Sequence, residues 1–210
     1  MFTRTLWRAF WLCINPNSLH CFHHNKSQFD YKYDPSGGNI KNYLLEKSRV
    51  VNQLQGERNF HIFYQLLKAG PAQQLGLKTD PNAYPYLTHG GVTEVRSIDD
   101  AADWQQVQQG MNTLGFSQHE QNNILQVLAG ILHLGCVEFD SDGGEGSRVK
   151  GPIDLFAQAI GTTTEKATAA ITNSTIVASG QVVTSPINPK KSRDTRDALA
   201  KAMYDRMFTW

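Results

Sequence analysis

The sequence has few cysteines, no long apolar run and no excess of charge of either sign. Its three cysteines, Cys13, Cys21 and Cys136, are too few for a disulfide framework, and their odd number suits a reducing compartment. No apolar run approaches the roughly 18 residues that a membrane span needs. The 20 basic and 19 acidic residues give a net charge of +1, which excludes a globally basic nucleic-acid-binding protein. Any charged partner must therefore bind a local patch.

The overall composition is that of a folded protein. The 210 residues are 40% apolar and 19% charged, which is typical of one soluble domain or a large part of one. Ten Phe and four Trp supply bulk for a hydrophobic core. We therefore expect an ordered chain with a substantial core.

Residues 1–28 differ in composition from the rest of the chain. Their apolar stretch is short and lacks the small-residue cleavage site of a signal peptide, and the Arg-rich face of a transit peptide is barely present. The spacing of Cys13, Cys21, His23 and His24 matches no common set of zinc ligands. We interpret residues 1–28 as an irregular polar segment. The alternative is that they are not part of the fold, for instance as translated non-coding sequence.

Turn formers and apolar spacing predict the elements of the first half. Residues 34–38 are rich in Pro and Gly, and they predict a hairpin connection between strands at 29–31 and within 40–51. Apolar residues from Phe60 to Leu67 recur at helical spacing before Gly70, which predicts a helix. The Pro, Gly and Tyr residues of 75–94 favour an ordered loop packed by its own side chains.

The second half is predicted to be mainly helical. One helix is opened by Ser97 and Asp100 and ends at Gly115. Ser117 and Glu120 have capping-box spacing and open a central helix that runs to 135. A short strand at 136–139, an exposed loop at 141–146, and helices at 153–160, 164–171 and 194–210 follow. The last helix has no cap after it, so we expect the chain to be truncated there.

Residues 176–187 have a different character from the helices around them. Their content of β-branched residues is high around Gly180, and Pro186 and Pro189 close the segment. This pattern favours a hairpin-like surface projection.

Four blocks of the sequence resemble the myosin motor domain and occur in that family's order. Residues 43–51 read YLLEKSRVV, 56–67 read GERNFHIFYQLL, 124–135 read ILQVLAGILHLG, and 196–201 read RDALAK. The resemblance implies a partial P-loop NTPase-type motor domain, which is α/β in the full family. Residues 29–210 would cover transducer strands and most of the upper 50 kDa subdomain, a part that is mainly α with a few β-strands.

The family's nucleotide-binding motifs are not found in this sequence. Its phosphate loop, Gly-Glu-Ser-Gly-Ala-Gly-Lys-Thr, does not occur. Switch I, Asn-x-Asn-Ser-Ser-Arg, is expected just before residue 29. We interpret residues 1–28, which stand at that place, as not matching this motif. Switch II is expected after Trp210. Because phosphoryl transfer needs all of these parts, we expect no ATPase activity, no bound cofactor and no catalytic or metal-binding residue, although the intact family uses ATP and magnesium.

The resemblance assigns residues 176–187 to the family's cardiomyopathy loop, which contacts the actin filament. The predicted actin-binding residues are Ile176, Val177, Ala178, Ser179, Gly180, Gln181, Val182, Val183, Thr184, Ser185, Pro186 and Ile187. Gln181 lies sixteen residues before Asp197, where relatives usually carry an acidic or phosphorylatable residue. Glutamine brings no charge, so regulation by phosphorylation is not expected there. A modest basic flank follows, at Lys190, Lys191 and Arg193.

The first hypothesis for function is a fragment of an actin-based motor protein. Its expected location is the cytoplasmic actin cytoskeleton, and its expected partners are the actin filament and the missing remainder of the motor domain. No nucleic-acid partner is expected. The alternatives are a non-catalytic actin-binding module and an incomplete gene product without independent function.

Overall fold

The computed structural model of the protein describes residues 24–29, 31–41, 45–178 and 181–209. The predictions for residues 1–23 and for the chain end at Trp210 lie outside the described residues. Within those residues, six helices of seven or more residues and three antiparallel strand pairs form, which confirms the mainly α fold. The helices are α1 His61–Ala69, α2 Asp100–Thr113, α3 Gln118–Gly135, α4 Ile153–Ala159, α5 Thr164–Thr172 and α6 Pro189–Thr209. The strands are β1 His24–Phe29, β2 Pro35–Lys41, β3 Glu138–Ser141, β4 Ser147–Lys150, β5 Asn173–Ala178 and β6 Gln181–Pro186.

Strands β1 and β2 form the predicted first hairpin with different bounds. Residues 35–38 pair within β2 instead of turning, and the chain reverses between Phe29 and Pro35. In that reversal Tyr33 has a left-handed backbone with φ of 63°. Strand β1 begins at His24 and so crosses the boundary that the sequence placed between residues 28 and 29.

The predicted strand over residues 40–51 is wrong from residue 47 onward. Lys47–Val50 is a 3-10 turn, in which the Arg49 N–H donates to the carbonyl of Glu46. Helix α6 packs against this segment. A helix offers no free backbone groups for pairing, so the backbone N–H and C=O groups of this segment form hydrogen bonds within the segment.

Helix α3 lies at the centre of the fold and has its predicted bounds. The Ser117 hydroxyl accepts from the backbone N–H of Glu120, and the Glu120 carboxylate accepts from the N–H of Ser117, so the predicted capping box is confirmed. Every residue from Leu128 to Gly135 is buried. Helices α4 and α6 pack against α3.

Helices α1 and α2 pack against each other at the edge of this core. Helix α1 ends before Gly70, as predicted. Helix α2 is capped by Asp99, whose carboxylate accepts from the N–H groups of Ala101 and Ala102, rather than by the predicted Ser97. The carboxylate of Asp99 reaches both N–H groups at 3.0 Å, which stabilises the first turn.

The connection between α1 and α2 is ordered, as predicted for residues 75–94. It contains the 3-10 turns Gln73–Leu75 and Pro81–Ala83 and a single helical turn at Pro85–Thr88. Tyr84 and Tyr86 are both buried in it. The loop is therefore held by its own aromatic side chains.

Three further differences concern the second half. The predicted strand at 136–139 begins at Glu138, and its partner β4 was not predicted, because β4 has no strong apolar alternation. Helices α4 and α5 are confirmed. Helix α6 begins at Pro189 instead of residue 194, because the side chain of Asn188 accepts from the N–H of Lys191 and caps an additional turn.

A buried polar cluster lies where α1 meets α2. Arg58 pairs with Asp100 at 2.7 Å, and its guanidinium lies 3.8 Å from the centre of the Tyr64 ring. Beside this pair, burial lowers the pKa of His61 below its usual 6.5, and the charges of Arg58 and Arg49 lower it further, while Asp100 opposes them. His61 is therefore neutral in the folded protein near pH 7.

We expect acidification to destabilise the fold through His61. In the unfolded chain this histidine takes up a proton as the pH falls through about 6.5, whereas the folded chain resists protonation. The free energy of unfolding should therefore decrease between about pH 7.5 and 5.5. Urea unfolding across this range should give a smaller decrease for His61→Gln than for the unmodified chain. The exposed His119→Gln variant is the control, and an unchanged pH slope in His61→Gln would contradict the assignment.

Candidate functional site

The segment 176–187 lies mostly in a projecting hairpin, as predicted. Strands β5 and β6 pair antiparallel, with Ile176 opposite Val183 and Val177 opposite Val182. The predicted site residues Ser179 and Gly180 connect the two strands and lie outside the described residues. The hairpin prediction is confirmed for the described part.

The hairpin exposes large apolar side chains. Ile176 is 58% exposed, Val177 73%, Val182 69% and Val183 46%. All residues from Gln181 to Pro186 are exposed. Exposed apolar clusters of this kind mark interaction surfaces more often than isolated exposed residues do.

Ile187, the last predicted site residue, has a different role. Its side chain is 5% exposed, and its N–H donates to the carbonyl of Thr172 at 2.9 Å. It therefore closes the base of the hairpin and does not offer its side chain to a partner.

Helix α6 holds this base against the strand pair β3 and β4. The hydroxyls of Ser192 and Ser147 are 2.6 Å apart, and Ser192 is fully buried. Arg193 donates to the carbonyl of Phe139 at 3.3 Å. The hairpin therefore projects from a fixed platform.

The strongest contacts of this platform lie in the next turn of α6, at Arg196 and Asp197, and we call them the Arg196 anchor. Arg196 donates to the carbonyl of Val137 at 2.6 Å and to the carboxylate of Asp197 at 2.9 Å. The same carboxylate oxygen accepts from the Tyr86 hydroxyl at 2.6 Å. Burial raises the pKa of Tyr86 far above its usual range, so this hydroxyl remains a donor. The network joins α6 to the residue that precedes β3 and to the loop that follows α1.

The predicted basic flank is exposed. Lys190 and Lys191 lie in the first turn of α6 and are solvent-accessible, and the side chain of Arg193 is 47% exposed. Arg193 has Glu138 at 3.9 Å, which offsets part of its charge. The two lysines therefore supply most of the positive charge beside the hairpin.

The described residues do not fit a metal centre. In the ranges that the structure describes, no three His, Cys, Asp or Glu side chains lie close enough together to hold a metal ion. No helix among the same residues is long and apolar enough to cross a membrane.

The chain matches the myosin head (motor domain) family over residues 13–210. The chain belongs to this family.

The chain is also similar to individual unconventional myosins. It is 46% identical over 200 residues to unconventional myosin IC of Drosophila melanogaster, covering 93% of this chain and 19% of that protein. It is 40% identical over 201 residues to unconventional myosin-Ic of Rattus norvegicus, with 93% and 19% covered. For unconventional myosin-Ic of Danio rerio the identity is 41% over 202 residues, with 93% and 20% covered. The chain therefore spans about a fifth of the length of these relatives.

The match to the myosin head family includes part of residues 1–28, which the sequence analysis separated from the rest of the chain. It begins at residue 13 and so covers 13–28, although the division of the chain at residue 28 stays a prediction. Within this range, Asn15, Asn17 and Ser18 coincide with the first, third and fourth positions of Asn-x-Asn-Ser-Ser-Arg. Leu19 and His20 replace the last two. This partial motif is the signal that would have extended the resemblance to these residues.

The Arg196 anchor gives a test of how the hairpin platform is held. Replacing Arg196 by Leu removes the side-chain donor to the Val137 carbonyl and the cation beside the Asp197 carboxylate, which keeps its bond from Tyr86, so we expect a loss of about 2–4 kcal/mol in the free energy of unfolding. The neighbouring Arg193→Leu removes a half-exposed cation and should lose less than about 1 kcal/mol. Urea unfolding of both variants checks the difference, and equal losses would contradict the anchor.

Proposed function

We propose that this chain is part of an actin-based motor protein and supplies one of its filament-binding elements. Membership of the myosin head family supports the motor assignment. The observation that carries the site is the hairpin β5 and β6, with four exposed apolar side chains above a buried base. The upper 50 kDa subdomain is its proposed place in the motor domain. The proposed location is the cytoplasmic actin cytoskeleton.

The filament contact of the isolated chain is weak in this proposal. A single hairpin of two six-residue strands buries far less surface against a partner than the roughly 1,200 Å² of a stable protein interface. Exposed charges such as Lys190 and Lys191 add at most about 1 kcal/mol each and are screened by salt. Strong binding therefore requires further elements of the motor domain, which are the proposed partners of this chain beside actin.

We propose further that the chain by itself does not hydrolyse ATP. The sequence has no Gly-x-x-x-x-Gly-Lys-Ser/Thr loop to hold phosphates. At the switch I positions, Leu19 replaces a serine, and a leucine side chain has no oxygen that could bind magnesium. His20 replaces the arginine of that motif. A non-catalytic actin-binding module is the second candidate, and these same replacements favour it.

The ATP proposal is tested by direct binding. The unmodified chain should show no saturable binding of a fluorescent ATP analogue with magnesium up to about 100 µM, since the phosphate-binding groups are missing. A complete motor domain of a relative serves as the positive control. A dissociation constant in the micromolar range for this chain would contradict the proposal.

The filament proposal is tested at Gln181. Gln181→Glu introduces the negative charge that an acidic or phosphorylated residue brings at this position and should change the affinity for actin filaments by about two- to fivefold at low salt. Gln158→Glu makes the same charge change on the exposed side of α4 and is the matched control. Filament co-sedimentation at low and moderate salt measures both. Equal affinities for the two variants at both salt concentrations would remove the site from the hairpin.

A further inference from the structure

Helix α2 is attached to the body of the protein through one neighbour. Among the described helices and strands, α1 is the only one against which α2 packs extensively, whereas α3 packs against both α4 and α6. The contact face of α2 has three buried side chains, those of Trp104, Val107 and Met111. Because the position of a helix depends mainly on the apolar surface that it buries, α2 is held less firmly than α3.

Buried polar groups without hydrogen-bond partners lie where α1 meets α2. The side chain of Gln65 is fully buried, and neither atom of its amide bonds to a described residue. The same is true of Nδ1 of His61, one turn earlier on the same face of α1, and of Oδ1 of Asp100 in the first turn of α2. A polar group that loses water and gains no other partner destabilises the packed state, so these atoms weaken the attachment of α2.

The two ends of α2 are attached differently. At the first turn, Oδ2 of Asp100 accepts from the guanidinium of Arg58 at 2.7 Å. At the last turn, Oδ1 of Asn112 accepts from Nε2 of Gln121 at 2.8 Å, which joins this end to α3. Gly115, just after the helix, has a left-handed backbone with φ of 80°. The C-terminal end of α2 is therefore tethered to α3 beside a glycine turn, and the N-terminal end depends on the Arg58 pair.

The Arg58 pair has a titratable neighbour in His61. The charged groups that face this histidine are Arg58, Arg49 of the 3-10 turn and Asp100 of α2. Burial and the two arginines lower the pKa of His61, and Asp100 opposes them. A proton added to the buried ring would place a third cation in this group, whereas a ring that water reaches carries the charge easily.

We propose that α2 undocks from α1 as a unit while the rest of the helical body stays folded, and that acid favours the undocked state. The tether at Asn112 keeps the C-terminal end in place, and the N-terminal end moves away from Arg58. Water then reaches the amide of Gln65 and the ring of His61. The interface between α1 and α2 is in this way a pH-sensitive latch.

Hydrogen exchange of the full chain, read by mass spectrometry, measures this undocking. Protection factors, which are corrected for the intrinsic effect of pH on exchange, are compared between residues 100–113 of α2 and 118–135 of α3. We expect protection in α2 to be at least about tenfold lower than in α3 at pH 7.5. Low concentrations of urea should decrease protection in α3 and leave that in α2 nearly unchanged, because undocking exposes little surface. Protection that falls in parallel in both helices overturns the separate release of α2.

Gln65→Met tests the buried amide. Methionine has a similar length and helix propensity but no amide, so we expect protection in α2 to rise by at least about fivefold. Gln108→Met makes the same replacement on the exposed side of α2 and is the matched control, with an expected change of less than about twofold. Equal changes in the two variants overturn the role of Gln65.

His61→Gln tests the response to acid. As the pH falls from 7.5 to 5.5 the undocked state takes up a proton at His61, whose ordinary pKa is 6.5, and the docked state resists it. Protection in α2 of the unmodified chain should therefore fall by about three- to tenfold over this range. His61→Gln should lose most of this fall, and the exposed His119→Gln should keep it. A fall of the same size in His61→Gln overturns the latch.

Discussion

The close approach of other segments to helix α3 is the constraint on which the rest of the structure depends. Two glycines of this helix lie at the points of closest contact. A Cβ atom at Gly135 would lie 2.6 Å from Cδ2 of Tyr86, and one at Gly130 would lie 3.2 Å from Cγ2 of Ile160. The first distance is shorter than any normal carbon contact. The loop after α1 therefore reaches its position because Gly135 lacks a side chain, whereas a side chain at Gly130 would require that of Ile160 to shift by a few tenths of an ångström.

The elements that the sequence predicted well are those whose signals are local. The Ser117 and Glu120 pair fixes the start of α3 within one turn, and the apolar residues after it are spaced for a helix. The start of α6 was placed too late because its cap, Asn188, lies two residues after β6 and is followed by the polar run Lys190–Asp194, which has no apolar residue to mark a helix. The segment Lys47–Val50 was predicted to be a strand because the run 40–51 flanks the turn formers of 34–38, whereas in the structure it forms a 3-10 turn that packs against α6.

The functional surface shows the same division between local and distant signals. The hairpin was predicted from the β-branched residues of 176–187, which are contiguous in sequence. Its anchor was not predicted, because Tyr86 and Asp197 are 111 positions apart and no local pattern links them. Ile187 was included in the site because it ends the β-rich segment, and only its burial and its hydrogen bond to Thr172 identify it as a structural residue.

Helix α6 is a single uninterrupted element of 21 residues, about 30 Å long. It carries the hairpin at its first turn, is fixed to the body near Ser192 and Arg196, and ends near the ion pair of Asp205 with Lys47. Between these points Ala200 and Tyr204 are buried, and the Tyr204 ring stacks on that of Phe60 with 4.6 Å between the centroids, so α6 is held along its length. The helix therefore acts as a splint that joins three segments far apart in sequence: the base of the hairpin, the strand pair β3 and β4, and the turn at Lys47–Val50.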